Sequence, residues 1–95
     1  MENLIELNDK KYLLEENFRD AFDYEIVKTK NTEYFEPYDY IVGDWAYGKL
    51  RLKGFYDNNN SLCNKTNNIR DLDIYLKNNC AYGCKWFKLK KIIEK

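Results

Sequence analysis

Two runs of strand periodicity either side of a tight turn occupy the centre of the chain, and they constrain its fold more than any other feature. Asp39 to Trp45 and Lys49 to Tyr56 flank Ala46-Tyr47-Gly48. In the second run Leu50 and Leu52 fall on one face while Lys49, Arg51 and Lys53 fall on the other, because successive side chains of a strand point to opposite sides. That run reads as a half-buried strand with a basic outer face. Gly43 and Gly54 each interrupt a run, the mark of a bulge or of a close approach to the backbone.

The flanking segments read as follows. Leu4 to Glu15 has the alternation of a β-hairpin, with Asn8-Asp9 as its two-residue turn. From Asn17 to Glu36 a helix is favoured, beginning at Tyr24 under an Asp23 cap with Glu25 in the first turn. The β-branched content of Tyr24 to Thr29 would also suit a strand. Pro37 ends whatever precedes it. Asp57-Asn58-Asn59-Asn60-Ser61 opens a polar loop, and asparagine continues through Asn64, Asn67 and Asn68. Asn68 then caps a helix that lines up Ile69, Leu72, Tyr75 and Leu76, with Asn78-Asn79 and Gly83 at its end. The last strand runs from Lys85 to Ile93, placing Phe87, Leu89 and Ile93 opposite Lys88 and Lys90. The fold class is therefore α+β: a small antiparallel or mixed sheet with one or two helices packed on one face. At 95 residues the chain reads as one domain, 1–95, with a modest core.

Composition narrows the chemistry. Sixteen Lys and Arg balance 16 Asp and Glu, so any attraction to nucleic acid or an anionic membrane must come from a local patch. No apolar run reaches membrane-spanning length, and the N-terminus lacks a secretory layout, so the expectation is a cytoplasmic protein without membrane association. Histidine is absent, which excludes Ser–His and Cys–His nucleophile systems. The glycines are spread through strands, so there is no phosphate-binding loop. Cys63, Cys80 and Cys84 with a carboxylate are the one metal constellation available; the default is three reduced thiols and no cofactor, with a redox pair as the third option.

The segment Tyr38-Asp39-Tyr40-Ile41-Val42-Gly43-Asp44-Trp45, followed by Tyr47-Gly48 and Leu50-Arg51-Leu52-Lys53-Gly54-Phe55-Tyr56-Asp57, resembles the signature of the YutD-like family of small cytosolic bacterial proteins. Glu16-Asn17-Phe18-Arg19-Asp20 and Cys80-Ala81-Tyr82-Gly83-Cys84 add to the resemblance, which spans most of the chain. Family members more often carry glycine where Ala46 and Ala21 stand. The resemblance implies a cytosolic α+β domain and brings no catalytic residues with it.

The residues themselves support three functional readings. Lys49, Arg51 and Lys53 repeat at about 6.5–7 Å along one strand face, with Trp45, Tyr47 and Phe55 at the ends of the row. Cations beside stacking aromatics suit single-stranded RNA or a ribonucleoprotein, and Trp86, Lys88 and Lys90 would extend that face. The alternative is a protein–protein adapter with aromatic anchors, for which Tyr34, Phe35, Tyr38 and Tyr40 are candidates. The third is a small hydrolase in which Asp44, near Asp39 and Asp57, works as a shielded carboxylate. Each competes with a structural use of the same residues: a solvated lysine face, core rings, or carboxylates that cap turns.

Overall fold

The computed structural model describes residues 4–7, 9–79 and 84–92. Two hairpins form first in chain order. The first joins β1 (Leu4–Leu7) to β2 (Lys10–Phe18); the second joins β3 (Tyr40–Ala46) to β4 (Lys49–Phe55). Between them lie α1 (Tyr24–Lys30) and a 3-10 turn at Glu33–Phe35. A second 3-10 turn, Ile69–Asp71, leads into α2 (Leu72–Asn79), and β5 (Trp86–Lys91) comes last. The sheet order is β1-β2-β5-β3-β4, antiparallel throughout. The final strand therefore joins the two hairpins, each of which would be marginal alone.

Local chemistry explains most element boundaries. Asp23 accepts from the Ile26 amide at 3.3 Å and caps α1; Glu25 opens the helix and Lys28 and Lys30 close it, matching its dipole. The helix stops at Lys30, short of Glu36, where Thr32 offers the following amides competing bonds. Thr32 Oγ1 accepts from the Tyr34 amide at 3.4 Å, and the Thr32 carbonyl from that of Phe35 at 3.0 Å. Asn68 caps, accepting from the Arg70 amide at 3.1 Å, but what it caps is the 3-10 turn Ile69–Asp71 that leads into α2, so Ile69 precedes the α-helix instead of opening it. The first hairpin turns at Asp9, whose φ is 67°, but β2 runs on to Phe18, past Glu15, to pair with β5.

The sheet is covered on both sides. One face buries Leu7, Tyr12, Ile41, Leu50, Phe87 and Leu89, with Val27 of α1. The other buries Tyr40, Val42 and Phe55 beneath Leu72 of α2. The α+β class and the antiparallel sheet are as the sequence indicates. The helices divide between the two faces instead of sharing one, because the strands carry apolar residues at both parities near Tyr40 and Phe55. Both strand glycines mark close approach. A Cβ on Gly43 would run into the ring of its cross-strand neighbour Phe87, and one on Gly54 into the ring of Tyr38.

Candidate binding surface

The β3–β4 turn fixes the geometry of this surface. Tyr47 and Gly48 have φ of 53° and 75°, the left-handed pair that a two-residue hairpin loop requires. Ala46 consequently faces Lys49 across the ladder, Trp45 faces Leu50, and Asp44 faces Arg51. This register decides what the basic strand can offer.

Lys49, Arg51 and Lys53 share one side of β4, as their spacing indicates, but the row differs from an open ribbon. Arg51 donates from Nε to Asp44 Oδ1 at 3.1 Å and from Nη2 to Oδ2 at 2.8 Å. The Asp44 side chain is 1% exposed and that of Arg51 47%. The bonded carboxylate raises the Arg51 pKa above its ordinary value. Lys53 Nζ lies 5.2 Å from the Phe55 ring centroid and 5.7 Å from that of Tyr75. Lys49 is exposed.

The aromatic residues of the row are corrected in two places. Trp45 lies on the opposite face, where its indole N–H donates to the Ala21 carbonyl at 2.8 Å and its ring packs on the main core. The hairpin register contains this result, since any residue facing Leu50 shares its side. Phe55 has the parity of the lysines but is 1% exposed, because α2 covers it. Tyr47 alone of the three rings stands in solvent, at 103% relative exposure. On β5, Lys88 pairs with Glu15 at 3.4 Å, and Trp86 lies beside Phe18, with ring centroids 6.4 Å apart. Phe18 is a neighbour that sequence spacing alone could not bring to Trp86.

The aromatic run around Pro37 is mostly packing. Phe35 and Tyr40 are buried in different clusters. Tyr38 covers Gly54 and stacks near Tyr56 at 4.7 Å, and Tyr34 is exposed. The Tyr38 hydroxyl donates to that of Tyr34 at 3.3 Å, and this bond with burial pushes the Tyr38 pKa up to about 12.

The carboxylates considered for catalysis hold the backbone or a cation. Asp39 Oδ2 accepts from the Asp57 amide at 2.8 Å and from Asn60 Nδ2 at 2.9 Å, and Asp57 accepts from the Asn59 amide at 2.9 Å. Asp44 holds Arg51. Cys63 is a free thiol, whereas Cys84 is disulfide-bonded, which corrects the expectation of reduced thiols there. Cys80 lies outside the described residues. Among the described residues no group of three or more His, Cys, Asp or Glu side chains could hold a metal ion, and no helix is long and apolar enough to cross a membrane. A cleft of about 370 Å³ lies between β4 and α2, where Lys53 and Lys65 face Asn68, Asp71 and Tyr75.

A family model described as "YutD-like: Putative antitoxin YutD-like" matches residues 6–90. The chain belongs to the YutD-like family. It is 42% identical over 89 residues to "Putative antitoxin YutD" of Bacillus subtilis (strain 168), covering 94% of this chain and 98% of that protein. The solution NMR structure of protein yutD from B. subtilis superposes with a TM-score of 0.80 at 41% identity, covering 96% of this chain and 83% of that one. In this chain both faces of the sheet carry packed residues, and the β3–β4 hairpin presents Tyr47 and Lys49 to solvent.

Proposed function

We propose that this YutD-like chain is a non-enzymatic binding protein that acts by masking another protein, a reading prompted by the name "Putative antitoxin YutD" of its B. subtilis relative. Its contact surface is the β3–β4 hairpin from Tyr47 along Lys49 to Lys53. The observation that carries this reading is Tyr47 itself: a full-size aromatic, exposed, held at φ 53° where asparagine or glycine would fold more easily. Backbone strain under an exposed ring is a cost to folding that a partner contact accounts for.

Single-stranded RNA is the second reading. It keeps Tyr47, Lys49 and Lys53, but Trp45 lies on the opposite face, Phe55 is buried beneath α2 and Arg51 is already engaged by Asp44. Protein binding is favoured because a single exposed ring makes a poor stacking platform and a good interface anchor.

A photocrosslinking residue placed at Tyr47, with a control at Tyr24 in α1, tests both. The expected result is one protein adduct specific to position 47 that survives nuclease treatment. An adduct that nuclease removes would favour RNA, and no specific adduct at 47 would end both readings.

A further inference from the structure

We infer that the cleft between β4 and α2 binds a nucleoside monophosphate, its phosphate dianion held by Lys53 and Lys65. The site shares Lys53 with the contact surface proposed above but does not need the masking role.

Local chemistry builds the walls. Along α2 and the 3-10 turn before it, Asp71, Ile74, Tyr75 and Asn78 recur at helical spacing, so they share the side that borders the cleft. The asparagine-rich loop supplies Lys65, and it is tied down on both sides of that residue. Asn64 Oδ1 accepts from the Thr66 amide and hydroxyl, each at 2.8 Å, and Asn67 Oδ1 accepts from the Asn64 amide at 2.7 Å. The Tyr56 amide donates to the Asn67 carbonyl at 2.7 Å and the Ile69 amide to the Tyr56 carbonyl at 2.9 Å, which fastens the loop to the end of β4. The run of asparagines thus brings a loop lysine and a strand lysine to one cleft that is formed before any ligand arrives.

Charge selects the ligand. Neither lysine is in an ion pair among the described residues. Lys53 Nζ lies 5.2 and 5.7 Å from the Phe55 and Tyr75 ring centroids; the rings hold the ammonium in place and leave its charge uncancelled. Lys65 is exposed. Asp71 is the one carboxylate among the described residues lining the cleft, and Arg70 pairs with it at 3.9 Å. Burial raises the Tyr75 pKa, so its phenol stays neutral. The two lysine charges are therefore left over, and like charges in one cleft are unfavourable until an anion joins them. A phosphate monoester carries about −1.5 to −2 near pH 7 and has three acceptor oxygens, whereas a carboxylate or a phosphodiester carries a single charge. Lysine meets phosphate as a point charge, without the planar fork of arginine. The carrier of the phosphate meets Ile74 and half-buried Tyr75, which suit a flat ring, and the exposed Asn78 amide offers a base edge both donor and acceptor. The volume of about 370 Å³ suits a small organic ligand.

Amide NMR on the full chain tests this with adenosine monophosphate as the probe. Adenosine, inorganic phosphate and two adenosines joined by one phosphodiester are the controls. The monophosphate should shift the resonances of Lys53, Lys65 and Tyr75 saturably and leave that of Tyr47 in place. Adenosine should shift nothing, and inorganic phosphate and the diester should each bind about tenfold more weakly. Lys65→Gln removes an exposed cation without touching the core and should weaken monophosphate affinity about tenfold. Unmoved resonances with the monophosphate, equal binding of adenosine, or unchanged affinity in Lys65→Gln overturns the inference. Inorganic phosphate binding as tightly as the monophosphate would mean an adventitious ion only, and a diester binding as tightly would remove the dianion; either overturns it as well. A protein adduct at Tyr47 with no saturable shift in the cleft removes the nucleotide site alone. A saturable shift with no adduct removes the masking role alone.

Discussion

Arg51 closes over Asp44 with two hydrogen bonds, of 3.1 and 2.8 Å, across the β3–β4 ladder, and it is the arginine, not the aspartate, that meets solvent. The pair is asymmetric: removing the cation strands a buried carboxylate, whereas removing both charges strands nothing. Arg51→Gln is therefore expected to destabilise the fold by about 2–4 kcal/mol, at or somewhat below the range for a broken buried pair because water reaches the arginine side. The double substitution Asp44→Asn, Arg51→Gln should recover most of that loss. Urea denaturation of the three variants measures it, and a double mutant as unstable as the single one would show that the pair does not act as a unit. Arg51 is consequently unsuited to a binding test, which is better made at Lys49 and Lys53.

The glycines inside the strands lead to a second expectation. Gly43 sits under Phe87 and Gly54 under Tyr38, each ring occupying the place of a Cβ. Phe87 is fully buried on a central strand and cannot retreat, whereas Tyr38 is only half-buried. Gly43→Ala should cost about 2–3 kcal/mol from overpacking, and Gly54→Ala less, about 1 kcal/mol. Thermal denaturation ranks them. Equal losses would mean that the central ring moves as freely as the peripheral one.

Residues whose structure is set by near neighbours could be read from the chain. Asp23 and Asn68 act on amides two or three positions ahead, and Tyr47-Gly48 closes its own hairpin. The alternation of Lys49, Arg51 and Lys53 against Leu50 and Leu52 is equally local. What stayed hidden depends on long-range pairing. The insertion of β5 between β2 and β3 brings Trp86 beside Phe18, and the return of α2 over Phe55 buries a ring that strand parity alone leaves outside. Trp45 is an intermediate case. Its side follows from counting back across the turn, but only once the turn is known to contain two residues.

The tyrosines set the alkaline limit of stability. Burial raises the pKa of Tyr12, Tyr40 and Tyr75, and the hydrogen bond to Tyr34 with burial carries Tyr38 to about 12, against an ordinary value of 10.0. A raised phenol favours the folded state through its neutral form. The contribution is whole below pH 10, where the unfolded chain is also neutral, and is lost as pH climbs from about 10 toward 12. Tyrosinate absorbance followed with circular dichroism should show these rings ionising late, together with loss of structure. Ionisation of all tyrosines near pH 10 in a still-folded protein would contradict the burial assigned to them. Tyr38→Phe removes the most strongly raised group and should make the alkaline transition shallower.

Tyr47 brings stability and binding into opposition. The turn needs a left-handed residue at this position, and asparagine adopts that conformation more readily than tyrosine. The tyrosine ring makes no compensating burial, being fully exposed. Tyr47→Asn is therefore expected to stabilise the hairpin by about 0.5–1 kcal/mol, a small rise in melting temperature. The same substitution removes the one exposed ring of the hairpin, so nuclease-resistant capture of a protein partner through a crosslinker at neighbouring Lys49 should fall. The two readouts must move apart for the proposal to hold. A variant that is more stable and captures its partner as well as the wild type would show that the strained tyrosine serves no contact.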